Sequence, residues 1–119
     1  MKTSILSYAS VFIGGGLGCL SRMIITQISF PSSFPFSTLL VNVLASFFLG
    51  ISMSLYSNTP LLSLGLITGY CGGLSTFSTF AWENLQLLKS GRLTFFFAYT
   101  TAQLFLTLAG VWVGYRMGK

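Results

Sequence analysis

The residues best able to do chemistry lie in one segment, Gly69-Tyr70-Cys71-Gly72-Gly73-Leu74-Ser75-Thr76-Phe77-Ser78-Thr79-Phe80, where three glycines and four Ser/Thr hydroxyls interrupt an apolar run. Two further polar stripes repeat every four residues. Thr38, Asn42, Ser46 and Gly50 form the first; Tyr99, Gln103 and Thr107 form the second, with Gly110 and Gly114 extending a nearby small-residue surface. That spacing puts each stripe along one face of a helix. The chain has no histidine, no aspartate and one glutamate, Glu83, so the paired acid and base groups of hydrolases and most metal-ligand sets are missing. An enzyme is not expected. Cation filters commonly use carboxylate rings or stacked carbonyls. What this chain offers is hydroxyls, the Asn42 and Gln103 amides, and the positively polarised edges of phenylalanine rings, all of which can face a small anion. Neutral donors replace water around an ion without gripping it as a buried arginine would. The inventory therefore suits fast passage of a small, strongly hydrated anion.

Composition says where such donors must be held. Of 119 residues, 53% are hydrophobic and 6% charged, against about 25% charged in an ordinary soluble domain, and the mean hydropathy is +0.82. A water-soluble globule is excluded. The net charge of +5 is spread singly over Lys2, Arg22, Glu83, Lys89, Arg92, Arg116 and Lys119, leaving no basic patch for nucleic acid. Cys19 and Cys71 lie in apolar segments without redox or zinc spacing and read as reduced packing residues. An apolar run after Lys2 also fits a signal peptide, but it is glycine-rich, lacks an A-x-A site and ends in Arg22, so cleavage is not expected.

The charges divide the chain into uncharged stretches of 19, 60 and 23 residues, bounded by Lys2, Arg22, Glu83, Arg92 and Arg116. A spanning helix takes about 20 residues. Breaks at Pro31-Ser32-Ser33-Phe34-Pro35 and Ser57-Asn58-Thr59-Pro60 split the middle stretch. The expected architecture is an all-α membrane protein, a single domain over 1–119 with four transmembrane helices near 4–27, 36–56, 61–88 and 92–116. The third span would be about 42 Å long as one helix, with its glycines and hydroxyls at the centre, so a break in mid-membrane is expected. Such a break is tolerated where the freed backbone groups are buried, solvated or coordinated to an ion. A simple kink with tight packing is the alternative, and for the two stripes it is interhelical hydrogen bonding.

Lys2, Arg116 and Lys119 fall on the side of the termini, and Arg22, Lys89 and Arg92 on the other. Three positive charges against three give no reason for a single orientation. Copies are therefore expected to insert both ways and pair as an antiparallel homodimer; a chance balance dominated by one loop charge is the alternative. With helix resuming at about Ser75, Phe77 and Phe80 share one face while Ser75, Ser78 and Thr79 lie opposite. Rings and hydroxyls lining one path would then come partly from different subunits, giving two paths per dimer.

These residues resemble the Fluc/CrcB fluoride channel family over nearly the whole chain. The resemblance is carried by Gly14-Gly15-Gly16-Leu17-Gly18-Cys19-Leu20-Ser21-Arg22, by Thr38-Leu39-Leu40-Val41-Asn42 with Ser46-Phe47 and Gly50, and by Gly72 through Phe80 followed by Glu83. It implies a dual-topology dimer with two fluoride pores and a structural Na+ at the centre of the interface. By position, Phe77 and Phe80 would line the pores, while Asn42, Ser78 and Thr79 donate hydrogen bonds along them and Tyr99 makes a polar contact from the last span. Arg22 would stand near a vestibule, and Gly72 and Ser75 would offer backbone carbonyls to Na+. Ser37 and Ala45 stand where glycine is common in the family, Ser75 where threonine is, and Gln103 where serine is. Pairing with a paralogous subunit is the alternative to a homodimer.

The function implied is passive export of fluoride across the bilayer of the cell membrane, bacterial plasma or inner, by a multi-pass channel. The competing reading is a small proton-coupled multidrug antiporter, which would place an essential glutamate in its first span; none stands there. A third is an accessory membrane protein whose polar stripes serve assembly only.

Overall fold

A computed structural model describes residues 4–28, 30 and 33–119. Lys2 of the charge balance and Pro31 and Ser32 of the first expected break lie outside the described residues. Ser4 starts α1 (Ile5–Thr26) through a capping box in which its side chain accepts the Ser7 N–H while Ser7 Oγ accepts the Ser4 N–H. After Pro35 comes α2 (Phe36–Tyr56). The third span is composite. Pro60 occupies the first turn of α3 (Pro60–Ser63), which runs into a π-helix (Leu64–Cys71) and a single turn, α4 (Gly72–Leu74). Ser75 and Thr76 are extended, and α5 (Phe77–Lys89) follows. At its end Gly91 takes φ +74°, and the Arg92 N–H reaches back to the Leu87 carbonyl, the glycine-terminated turn that only a residue without Cβ enters cheaply. The chain closes with α6 (Leu93–Met117).

Four helical segments, Ile5–Thr26, Phe36–Tyr56, Pro60–Lys89 and Leu93–Met117, are long and apolar enough to cross a membrane. The shortest, 21 residues, rises about 32 Å, close to the ~30 Å hydrocarbon core. The eight-residue π-helix was not anticipated from sequence. The resumption of regular helix is also corrected: it comes at Phe77, two residues later than the placement that set Ser75 opposite the phenyl rings.

Packing is organised in two pairs, α1 against the π-helix and α4, and α2 against α6. Both pairs run side by side in the same direction, Gly14 lying against Gly65 and Gly18 against Tyr70, Gly50 against Val111 and Gly114 against Phe47. Backbones touch in each seam. A Cβ on Gly18 would land on the Tyr70 carbonyl oxygen, and one on Gly114 on the Phe47 carbonyl oxygen. Small residues at such crossings let dispersion contacts form where lipid removes the hydrophobic driving force. Val41, Ala45 and Leu74 are buried between the pairs, and large apolar side chains such as Leu17, Phe105 and Trp112 point outward. Cys71 is buried, as a packing residue should be, but Cys19 is exposed.

Candidate functional site

The break in the third span is held open by a side chain from α2. The Thr76 N–H donates to Asn42 Oδ1 at 2.8 Å, and Asn42 Nδ2 donates back to the Thr76 carbonyl at 3.2 Å. Asn42 thus offers the broken backbone the donor and acceptor it would have found in a helix, and burial makes that necessary. Asn42 Nδ2 also reaches Gln103 Oε1 of α6 at 3.1 Å, so three elements meet at one amide. Thr76 is in addition the N-cap of α5. Its Oγ1 accepts the Thr79 N–H at 3.2 Å and donates to Thr79 Oγ1 at 3.0 Å, with Ser78 Oγ 3.4 Å away. A hydroxyl at this position satisfies one of the helix's unpaired N–H groups.

Thr76 stands between two clefts. One, of about 600 Å³, is the more polar and is lined by Arg22, Thr38, Thr76, Thr79 and Glu83 among others, with Phe30, Phe34 and Phe36 in the same wall. The other, of about 540 Å³, is lined by Asn42, Ser75, Thr76, Phe77, Phe80 and Gln103 among others. Ser75 therefore shares a cleft with the phenyl rings instead of lying opposite them; the extended backbone at 75–76 turns it round. The Phe77 and Phe80 rings meet at 5.4 Å between centroids with their planes tilted by 51°. Phe80 meets Tyr99 edge-on at 5.2 Å, whereas Phe77 is 79% exposed.

The single carboxylate is tied down by hydroxyls. Thr38 Oγ1 donates to Glu83 Oε1 at 2.7 Å and the Tyr99 hydroxyl donates to Glu83 Oε2. These two bonds tie α2, α5 and α6 together beside the polar cleft.

Residues 9–115 match the family model described as CrcB-like protein, Camphor Resistance (CrcB). The chain belongs to the CrcB family. Among relatives, a protein of Gloeothece citriformis is 38% identical over 115 residues, covering 92% of this chain and 94% of its own. One of Pyrococcus horikoshii is 40% identical over 116 residues (93% and 94%), and one of Campylobacter fetus is 40% identical over 125 residues (96% and 97%). All three are named fluoride-specific ion channel FluC.

In this CrcB chain the structure brings Asn42, Phe77 and Phe80 to one cleft and Thr79 and Arg22 to the other. Ser78 is exposed and touches only the edge of the Thr76 network. Tyr99 is fully buried and sits behind both clefts, bracing Phe80 and Glu83. Arg22 Nη2 lies 3.5 Å from Cys19 Sγ in the lining of the polar cleft.

Backbone carbonyls are released at the break, those of Gly72 and Ser75 among them. The Thr76 N–H that would close onto Gly72 goes to Asn42, and the Thr79 N–H that would close onto Ser75 goes to Thr76 Oγ1. Gly72 and Ser75 share a shallow concavity with Ser46 and Cys71. Its polar groups are neutral oxygens, the ligand type that suits a hard cation and not a soft transition metal.

Sequence reasoning gave no role to Thr76, the cap and the wall between clefts, and none to Glu83. The signal for the first was present: a hydroxyl residue just after a glycine-rich run and just before an amphipathic stretch is an N-cap pattern. For Glu83 no local signal exists, because its partners come from α2 and α6.

Proposed function

We propose that this chain is a fluoride-selective channel which lets fluoride leave the cell passively, lowering its cytoplasmic level. The observation that carries the reading is the meeting of two clefts at Thr76, lined by hydroxyls, an amide and phenyl edges, in a chain whose relatives are named for fluoride conduction. Glu83 is fixed by the Thr38 and Tyr99 hydroxyls against α2 and α6. An inside-negative potential supplies the force, about 2.3 kcal/mol per charge at 100 mV, or about fiftyfold in concentration. Arg22, in the lining of the polar cleft, attracts anions toward it.

The working unit we infer is an antiparallel homodimer in the cell membrane, with the break at Ser75–Thr76 near mid-membrane. Balanced positive charge supports dual insertion. The open phenyl cleft supports a second copy, because Phe77 beside it is left largely uncovered by its own chain. Both support a two-fold assembly whose paths are completed by the partner's surface. Na+ at the interface, held by the Gly72 and Ser75 carbonyls, belongs to the same reading; bound there, it would supply positive charge that favours the facing backbone dipoles.

Purified protein in liposomes tests the function. Fluoride efflux measured with a fluoride electrode, without a pH gradient, is the expected result. Vesicles that hold their fluoride, or transport only when a proton gradient is imposed, would overturn it.

A further inference from the structure

The last turns of α6 carry positive charge that the protein itself does not answer. Arg116 Cζ lies 5.8 Å from the centre of the Trp112 ring, and Lys119 Nζ lies 4.6 Å from the centre of the Tyr115 ring. Among the described residues neither cationic group has a hydrogen-bond or ion-pair partner. Glu83, the one acidic side chain in the sequence, is out of reach: it is fastened to Tyr99 near the other end of the same helix, about 25 Å from Arg116. Resting on a ring holds each cation in place and leaves its N–H groups for an acceptor from outside.

Spacing fixes where these side chains point. At i, i+3, i+4 and i+7, Trp112, Tyr115, Arg116 and Lys119 share a sector of about 100°, and all four are exposed. Gly114 and Gly118, pressed against α2, fall on the far side of the helix, as do Gln103 and Thr107 of the phenyl cleft. Toward mid-helix the same sector continues through Leu108 and Phe105, 64% and 63% exposed. An apolar stripe that ends in rings, with cations just beyond them, follows the order of a bilayer boundary: acyl chains, interface, phosphate. We propose that this face of α6 is a site for one anionic phospholipid, with its phosphate between Arg116 and Lys119 and an acyl chain along Leu108 and Phe105. A planar guanidinium matches phosphate with two parallel N–H bonds. The occupant is a lipid because the apolar stripe runs unbroken into the cations. It is an anionic lipid because no acidic side chain competes for them and no headgroup ammonium cancels its charge. In the antiparallel pair inferred above, the two sites lie in opposite leaflets. The inference needs the membrane setting alone and not fluoride conduction.

The chain has two tryptophans, so Trp82→Phe leaves Trp112 as the reporter. This full-length protein is reconstituted at low salt in phosphatidylcholine vesicles carrying increasing fractions of lipid brominated near the headgroup end of its chains, either phosphatidylglycerol or phosphatidylcholine. Half-quenching of Trp112 should need at least about threefold less of the brominated phosphatidylglycerol. With Arg116→Gln and Lys119→Gln added, and wild-type size checked on gel filtration, the two quenchers should act alike. Lys119→Gln alone, beyond the last turn of α6, should lose part of the preference. Equal quenching by the two lipids in the reporter protein overturns the proposal. So does a preference that survives loss of both charges, which would assign it to the protein's overall positive charge.

Discussion

Asn42 and Thr76, 34 residues apart, exchange two hydrogen bonds as paired strands do, Thr76 N–H to Oδ1 and Nδ2 to the Thr76 carbonyl. One side chain thus closes a break in another helix. Asn42→Ala leaves a buried N–H unpaired, which costs about 1–3 kcal/mol, and releases Gln103. We expect a lower midpoint in denaturant titration of the detergent-solubilised protein and loss of most fluoride efflux. A variant as stable and active as the wild type would mean that the break is held otherwise.

Thr76→Val removes the cap of α5 and the hydroxyl between the clefts but keeps the shape. The stability loss should be about 1 kcal/mol, with Thr76→Ser recovering most of it. Circular dichroism during chemical unfolding reads the difference, and equal midpoints for Val and Ser would contradict the capping role.

Phe80→Ile takes away the ring edge that faces the cleft and packs on Tyr99. Aromatic edge contacts are worth about 0.5–1.5 kcal/mol, so flux should drop by up to roughly tenfold with the oligomer intact on gel filtration. Unchanged efflux would remove Phe80 from the path.

Gly114→Val forces a side chain onto the Phe47 carbonyl in the α2–α6 seam. Overpacking of this kind costs about 1–3 kcal/mol. The expected outcome is a shift of thermal unfolding in detergent to lower temperature, whereas the same change at Gly16, where a Cβ meets nothing within 4 Å, should have little effect.

If the Gly72 and Ser75 carbonyls hold Na+, purification with a bulky organic cation in place of Na+ should lower both dimer stability and fluoride flux, and returning Na+ should restore them. Identical flux in the two preparations would leave the released carbonyls as a packing feature.

The amino-acid sequence alone determined the membrane setting, the four apolar helices, the polar face of α2 and the glycine-hydroxyl segment of the third span. Those are properties of composition and of spacing along one helix, so they are written locally. The tertiary structure decided what the polar groups do. Thr76 became a cap and a divider because Asn42 took its N–H; Glu83 acquired partners from two other helices; Ser75 turned to the phenyl side because regular helix resumes at Phe77 and not at Ser75. Whether a buried donor is satisfied depends on which groups from distant segments arrive beside it. Gln103, one of two amides in the sequence reading, has its oxygen taken by Asn42, 61 residues away in the chain.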